Sequence, residues 1–200
     1  MDAEVLAALA RWPAVPAVYG WLALTARGEW RLRGERIGHA AIGAFIARNY
    51  ALDGAGRAYF QNGPQRVYVD LESTPWIWRS SGAGHGLLAH TGAAPRQLAR
   101  AALLDDGRLA LVTDLGPGTV DDRDAARVLH ALCDGAGRAL DEAAVECWMQ
   151  GRQEACFAPR ALQLEGASVP VERLSAHRLA EHFGFDPAPR ATADCPQCPP

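Results

Sequence analysis

The sequence contains no lysine, and all 20 of its cationic side chains are arginines. These arginines are spaced singly among 23 acidic residues, and the formal net charge is -3. Proteins that bind nucleic acid usually carry a clustered basic face that displaces counterions from the phosphates. The sequence shows no such cluster, which argues against DNA or RNA as a partner.

Long apolar runs are also lacking. The longest uncharged run of note covers residues 13–26 and includes two prolines, whereas a membrane-spanning helix needs about 20 apolar residues. The first residues do not resemble a secretory signal, because Asp2 and Glu4 replace its basic region. We therefore expect a soluble, cytoplasmic protein with no membrane partner, whose five cysteines are reduced.

Familiar catalytic and metal-binding patterns are missing as well. The motif G-x-S-x-G, a cysteine beside a histidine and S-x-x-K do not occur. The pair Cys195 and Cys198 has C-x-x-C spacing, but a structural zinc site needs four ligands. The acidic run at 119–124 fits the first turn of a helix, where the helix dipole favours carboxylates. We expect neither a metal nor a cofactor.

The segments that are present predict an α+β protein built of two antiparallel, hairpin-rich lobes, each with a packed helix. Apolar and polar residues alternate on both sides of short turns, which is typical of hairpins, and in the hairpin at 19–33 this alternation assigns Leu32 to the buried side. Apolar residues at helical spacing predict a core-facing helix at 39–50, with Ile42 in its stripe, and another at 125–133. We place the N-terminal lobe at 1–86, the C-terminal lobe at 87–186 and a disordered tail at 187–200, and we expect the glycine-rich segment 79–86 to connect the two lobes.

The hexapeptide "DGAGRA" occurs twice, at 53–58 and 134–139, each time after a helix that follows a hairpin. One interpretation is a duplication that produced two similar lobes. The other is coincidence, because Asp, Gly and Ala are common where helices end. The flanking sequences do not match, so both interpretations stay open.

The stretch "FQNGPQRVYVDLESTPWIW" (60–78) has the most distinctive composition. Asn62-Gly63 predicts a hairpin, and Pro64, which lacks an N–H, predicts a turn wider than two residues. Alternation directs Val67 and Val69 to the core and the intervening residues to a polar row. Two tryptophans follow and add a flat apolar wall, so this stretch is the candidate ligand site. The candidate residues are Arg66, Tyr68, Asp70, Glu72, Trp76, Trp78 and His90.

Three functional hypotheses follow from this row. The first is a non-enzymatic module that binds a small molecule or a protein. The second is an enzyme whose acid–base pair comes from Asp70, Glu72 and His90, which requires that they converge in a pocket. The third is a homodimer joined through exposed Trp76 and Trp78. The alternative to all three is a solvated sheet face with ordinary cross-strand pairs.

At these residues the chain resembles an uncharacterised proteobacterial family known only as a domain of unknown function. The resemblance rests on "WPAVPAVYGWLALTARGEWRLRGERI", "FIARNY", "GRAYFQNGPQRVYVDLESTPW", "LGPGTVDDRD" and "HFGF", and it covers most of residues 12–185. It implies no established activity, so no catalytic residue is carried over from it.

Overall fold

A computed structural model describes residues 1–12, 14–81, 86–149, 160–164 and 166–191. The chain divides into two compact units. The first comprises Met1–Pro75, His90–Gly92 and Gly184–Pro200, and the second comprises Trp76–Ala89 and Ala93–Phe183. This division differs from the sequence-based one, because the chain returns to the first unit at its C-terminal end. Within the described ranges, no helix is both long and apolar enough to cross a bilayer.

The first unit contains a six-stranded sheet with the order β3-β2-β1-β6-β5-β4. Neighbouring strands are antiparallel except β1 and β6, which are parallel. Its elements are α1 (Ala3–Arg11), β1 (Val18–Leu24), β2 (Trp30–Leu32), β3 (Glu35–Arg36), α2 (Ala40–Arg48), β4 (Tyr50–Leu52), β5 (Ala58–Asn62) and β6 (Gln65–Leu71).

The second unit contains an eight-stranded sheet with the order β12-β13-β14-β9-β10-β11-β7-β8. Its elements are β7 (Trp76–Ser80), β8 (Leu87–Ala89), β9 (Leu98–Leu104), β10 (Leu109–Thr113), β11 (Gly116–Val120), α3 (Ala125–Leu129), β12 (Leu132–Cys133), α4 (Glu142–Met149), β13 (Ala161–Leu164), β14 (Ala167–Leu174), a 3-10 turn (Ala176–Arg178) and α5 (Leu179–Phe183). The predicted α+β class is confirmed by these elements. The parallel pairs β9·β14 and β7·β11 add to the antiparallel hairpins.

The two sheets repeat one topology. Taken in chain order, the strands β1 to β6 of the first sheet correspond in sheet position and direction to β9 to β14 of the second, and a helix follows the third strand of each series. In both, the first and sixth strands of the series form the parallel pair. This correspondence is what the duplication interpretation of the repeated hexapeptide predicts.

The two hexapeptides fold into the same turn. The Oδ1 atom of Asp53 accepts hydrogen bonds from the backbone N–H groups of Ala55 and Arg57, both at 3.0 Å. Asp134 makes the equivalent bonds at 2.8 and 3.0 Å to the residues two and four positions later. In each turn the arginine Nε also donates to the aspartate Oδ2 at 2.9 Å. The repeated motif is therefore a self-contained turn. The hydrogen bonds that its two copies share stabilise the turn itself.

Three local predictions need correction. Gly63 and Pro64 form a two-residue turn, since Asn62 pairs with Gln65; proline is accepted because its missing N–H is not needed there. The segment at 79–86, expected to connect the lobes, begins inside β7, and the Ser81 N–H donates to the Gly86 carbonyl within a β7–β8 hairpin. The start of the expected tail is tied down, because the Leu71 N–H donates to the Pro187 carbonyl at 2.8 Å.

Candidate functional site

Tyr68, the centre of the predicted polar row, is buried rather than open to a ligand, with 4% of its surface exposed. Its ring stacks on Tyr19 with centroids 4.7 Å apart, and the guanidinium of Arg57 lies 4.8 Å from its centroid. Its hydroxyl donates to Asp53 Oδ2 at 3.2 Å. Arg66 lies over the neighbouring Tyr59 ring at 4.1 Å. These contacts cover the face of β6 that the alternation pattern assigned to solvent.

The carboxylate of Asp53 anchors this aromatic face. Burial raises its pKa, but hydrogen bonds from the backbone and side chain of Arg57 and from the Ala55 N–H outweigh burial, and the net pKa is lowered. Asp53 is thus ionised at neutral pH and holds Arg57 against the Tyr68 ring. Charge and hydrogen bonding on this face serve to fix the hexapeptide turn against the sheet.

The three residues of the acid–base hypothesis have separate contacts. Asp70 pairs with Arg190 at 2.6 Å, and Glu72 accepts a hydrogen bond from the Ala26 N–H at 3.1 Å. His90 packs edge-on against the rings of Trp30 and Tyr50, at centroid distances of 5.2 and 5.4 Å. These contacts give the enzyme hypothesis no support.

Trp76 and Trp78 belong to the second unit and are buried, so they do not form the exposed dimer surface that the sequence suggested. Their strand is internal to the sheet, between β11 and β8. Trp78 is fully buried and stacks on Trp76 with centroids 6.2 Å apart. Gly118 on β11 makes room for both, because a Cβ there would collide with the Trp78 ring and the Trp76 backbone.

The acidic run at 119–124 has a structural role. The carboxylate of Asp121 is fully buried and pairs with Arg79 at 3.3 Å and with Arg123, whose Nε donates at 2.8 Å. The hydrogen bond from the Arg123 side chain holds the pKa of Asp121 well below its usual range. Among the residues that the structure describes, no three His, Cys, Asp or Glu side chains are grouped to hold a metal. The pair Cys195 and Cys198 lies outside the described residues.

The opposite face of the first sheet bears an apolar cleft of about 340 Å³ beneath α2. The volume lies within the range of small-molecule pockets, roughly 300–1,000 Å³. Among the residues that the structure describes, the lining comes from four strands, α2 and Ile37, which precedes α2, and its polar members are two amides. The lining residues are Val18, Trp21, Leu22, Leu32, Ile37, Ile42, Phe45, Ile46, Phe60, Asn62, Gln65 and Val67.

Large apolar side chains remain exposed at this cleft. Trp21, Leu32 and Ile42 all line it and are 48%, 47% and 49% exposed. The sequence pattern assigned Leu32 and Ile42 to the core, and the structure corrects that assignment. Both do point between helix and sheet as their periodicity requires, but that space is open rather than filled.

Two irregularities of the backbone position Trp21. The pairing of β1 with β6 shifts register between Val18 and Leu22, and Gly20 within this bulge has φ +70°. A bulge re-aims the side chains next to it, so both Trp21 and Leu22 line the cleft despite being consecutive. Arg33, at φ +49°, turns the chain after β2 and stacks its guanidinium 3.8 Å from the Trp21 ring centroid.

One signal for this site is visible in the sequence, and a second is visible in the backbone conformation. The dipeptide Tyr19-Gly20 interrupts an otherwise regular strand, and a glycine inside a strand often marks a bulge. The tight turn at Arg33-Gly34 places a non-glycine residue in the left-handed region, which is uncommon and is enriched at functional sites. Neither signal identifies the cleft without the strand order that brings β1, β2, β5 and β6 together.

Comparison with known proteins agrees with the fold. A crystal structure of a DUF1285 family protein from Silicibacter pomeroyi DSS-3 is 14% identical, with a TM-score of 0.53 over 86% of this chain and 96% of that one. A second DUF1285 family structure, from Shewanella baltica OS155, is 16% identical and covers 54% of this chain and 88% of its own, with a TM-score of 0.41. No curated protein matches the chain.

The first of these similarities, at 14% identity, concerns the fold alone. A family model provides the assignment, because it matches residues 1–190, nearly the whole sequence. The chain belongs to the family DUF2944, described as "Protein of unknown function (DUF2946)".

Proposed function

We propose that this protein is a non-enzymatic binding module and that the apolar cleft of the first unit takes up a small apolar ligand. One observation carries the proposal: side chains whose sequence pattern is that of core residues, Leu32 and Ile42, stay half exposed at a pocket-sized cleft. Leaving such side chains in water forfeits the free energy of their burial. A ligand in the cleft restores it.

The distribution of exposed apolar surface supports a dedicated site. The described residues expose six large apolar side chains, and three of them meet at this cleft. Single exposed apolar residues are normal on a protein surface, whereas clustered ones mark binding sites. The cleft is also concave and built on strands and a helix, which is the form that small-molecule sites usually take.

The test is binding of the neutral dye Nile red, followed by its fluorescence, to the full chain and to two matched pairs of variants. Leu32→Ser and Trp21→Ser alter the cleft. Leu6→Ser and Trp12→Ser are the controls, because Leu6 and Trp12 are each 50% exposed but do not line the cleft. We expect the cleft variants to bind the dye about tenfold more weakly, from the lost apolar contact, and the controls to bind as the unchanged chain does.

Circular dichroism on all four variants establishes that each is folded before binding is compared. Equal losses in the cleft and control variants would mean that the dye follows exposed apolar surface in general, and the proposal would fail.

We also propose that the protein is cytoplasmic. Fractionation of cells that express the protein tests this localisation.

A further inference from the structure

The polar groups around the cleft are gathered at one end of the sheet. Asn62 and Gln65 flank the turn between β5 and β6, beside the beginning of β1, whose Val18 pairs with Val67. Arg33 reaches the same end from β2, because its N–H donates to the Trp21 carbonyl at 2.7 Å. The remaining lining, toward Leu22 and Ile46, is apolar. A cleft with this arrangement suits a ligand that is polar at one end only.

Arg33 does not itself line the cleft, but its guanidinium lies against Trp21, which does. Its backbone has φ +49°, a conformation that costs free energy in a residue with a Cβ, and glycine follows it. The guanidinium lies over the Trp21 ring, with its Cζ 3.8 Å from the ring centroid, and the ring face stabilises the cation. Stacking occupies a face of the guanidinium, whereas its N–H donors lie in the plane and suit the two oxygens of a carboxylate.

The surrounding edge of the sheet is mildly basic. Residues 27–36, which include β2, β3 and their turns, carry four arginines and two glutamates. Arg36 pairs with Glu29 at 3.2 Å. Glu35 is the second acid, and its Cα is paired with that of Leu32. The arginines of this edge therefore outnumber its carboxylates by two.

We propose that the ligand of the cleft is a free medium-chain fatty acid, with its alkyl chain under α2 and its carboxylate on the guanidinium of Arg33. This inference rests on the proposed function, since it names the class of the apolar ligand. The apolar lining binds the chain, and Arg33 selects an anionic head over a neutral one. Asn62 lies at the same end of the sheet and offers an amide donor there, while Gln65 Nε2 donates to the Pro16 carbonyl at 3.4 Å.

The test compares decanoic acid with 1-decanol by isothermal titration calorimetry, below the concentration at which either aggregates. The variant is Arg33→Asn, because asparagine tolerates the left-handed backbone that this turn requires. The control is Arg31→Asn, which removes an equal charge from the same strand pair. We expect Arg33→Asn to weaken decanoate binding about tenfold, leave decanol binding unchanged and abolish the preference for the acid.

Each of the other possible results contradicts either the fatty acid assignment or the proposed function. If decanol and decanoate bind equally well and Arg33→Asn changes neither, the fatty acid assignment is wrong while the apolar site stands. An equal loss with Arg31→Asn reduces the effect to general charge and also contradicts the assignment. If neither compound binds, the proposed function fails as well. Binding to phosphatidylglycerol vesicles without binding to monomeric decanoate assigns the cleft to a membrane surface instead.

Discussion

At the scale of single residues, the fourth position of the two hexapeptide turns offers a matched comparison. Gly56 and Gly137 have φ values of +72° and +77°. A methyl group on Gly56 would collide with the backbone of Gly184 and Phe185, whereas the nearest atom to one on Gly137 is 3.9 Å away. The first turn is therefore closed by the C-terminal segment, and the second is open at the same point.

We expect Gly137→Ala to lower the free energy of unfolding by about 1–2 kcal/mol, the cost of the left-handed backbone alone. Gly56→Ala should lose about 1–3 kcal/mol more, because the methyl group displaces packed backbone. Urea denaturation of both variants measures the difference. Equal losses would show that Gly184 moves aside freely, contrary to the close packing described.

At the scale of elements, α1 is attached to the first unit through the side chain of Asn49, which is fully buried. Its Oδ1 accepts from the Asp2 N–H at 2.7 Å, and its Nδ2 donates to Asp2 Oδ2 at 3.1 Å and to the Phe45 carbonyl at 3.0 Å. One amide thus joins the start of α1 to the end of α2. Val5 is the one buried side chain of α1, so the hydrogen bonds of Asn49 make an important contribution to holding this helix in place.

Asn49→Ala is expected to lower the free energy of unfolding by about 1–3 kcal/mol, because the Phe45 carbonyl and the Asp2 N–H lose their partner. Hydrogen exchange should quicken most in residues 3–11. Arg48→Ala is the control, since Arg48 contacts the same aspartate at 3.3 Å but is exposed, and such pairs contribute about 0–1 kcal/mol. A similar effect of both variants on α1 would contradict the role of Asn49.

The hairpins were predictable at this scale because turn residues and alternation are local features. The ladder partners β1·β6 and β9·β14 were not, since parallel pairs join strands far apart in sequence. For β9 the sequence pattern does not decide between helix and strand, because alanine and leucine favour helices. Its Ala101, Ala102 and Leu103 are fully buried between β10 and β14, and this packing overrides the propensity.

The cleft illustrates the same limit. Periodicity correctly indicated that Leu32 and Ile42 turn inward, but it carries no information on whether protein atoms fill the space they face. For Tyr68 the prediction is wrong in the opposite direction, because a residue expected at the surface is buried. Alternation placed it outward, and the contacts that bury it come from Tyr19 and Arg57, on other strands and turns.

At the scale of the whole molecule, the first unit is discontinuous in sequence. Asp186 pairs with Arg57, its N–H donates to the Gly56 carbonyl at 3.2 Å, and Phe185 is buried. A chain that ends at Phe183 is therefore expected to lose hydrogen-exchange protection in β5 and β6, because these contacts are removed. Strands β10 and β11 of the second unit serve as the internal control.

A peptide of residues 184–191 added in trans should restore part of the protection in β5 and β6. Unchanged protection in the shortened chain would show that the first unit is complete without its C-terminal segment. Loss of protection in both units to the same extent would instead mean that the two units unfold together.

The discontinuity also sets the order of events during synthesis. The first 75 residues leave the ribosome early, but the segment that closes the Asp53 turn and pairs with β6 follows only after the entire second unit has been translated. At about 5–20 residues per second, that interval lasts several seconds. The N-terminal unit is thus the last to be completed, and the Asp53 turn and the end of β6 stay uncovered in the nascent chain until then. A chaperone that recognises apolar segments would meet this half of the protein first and release it last.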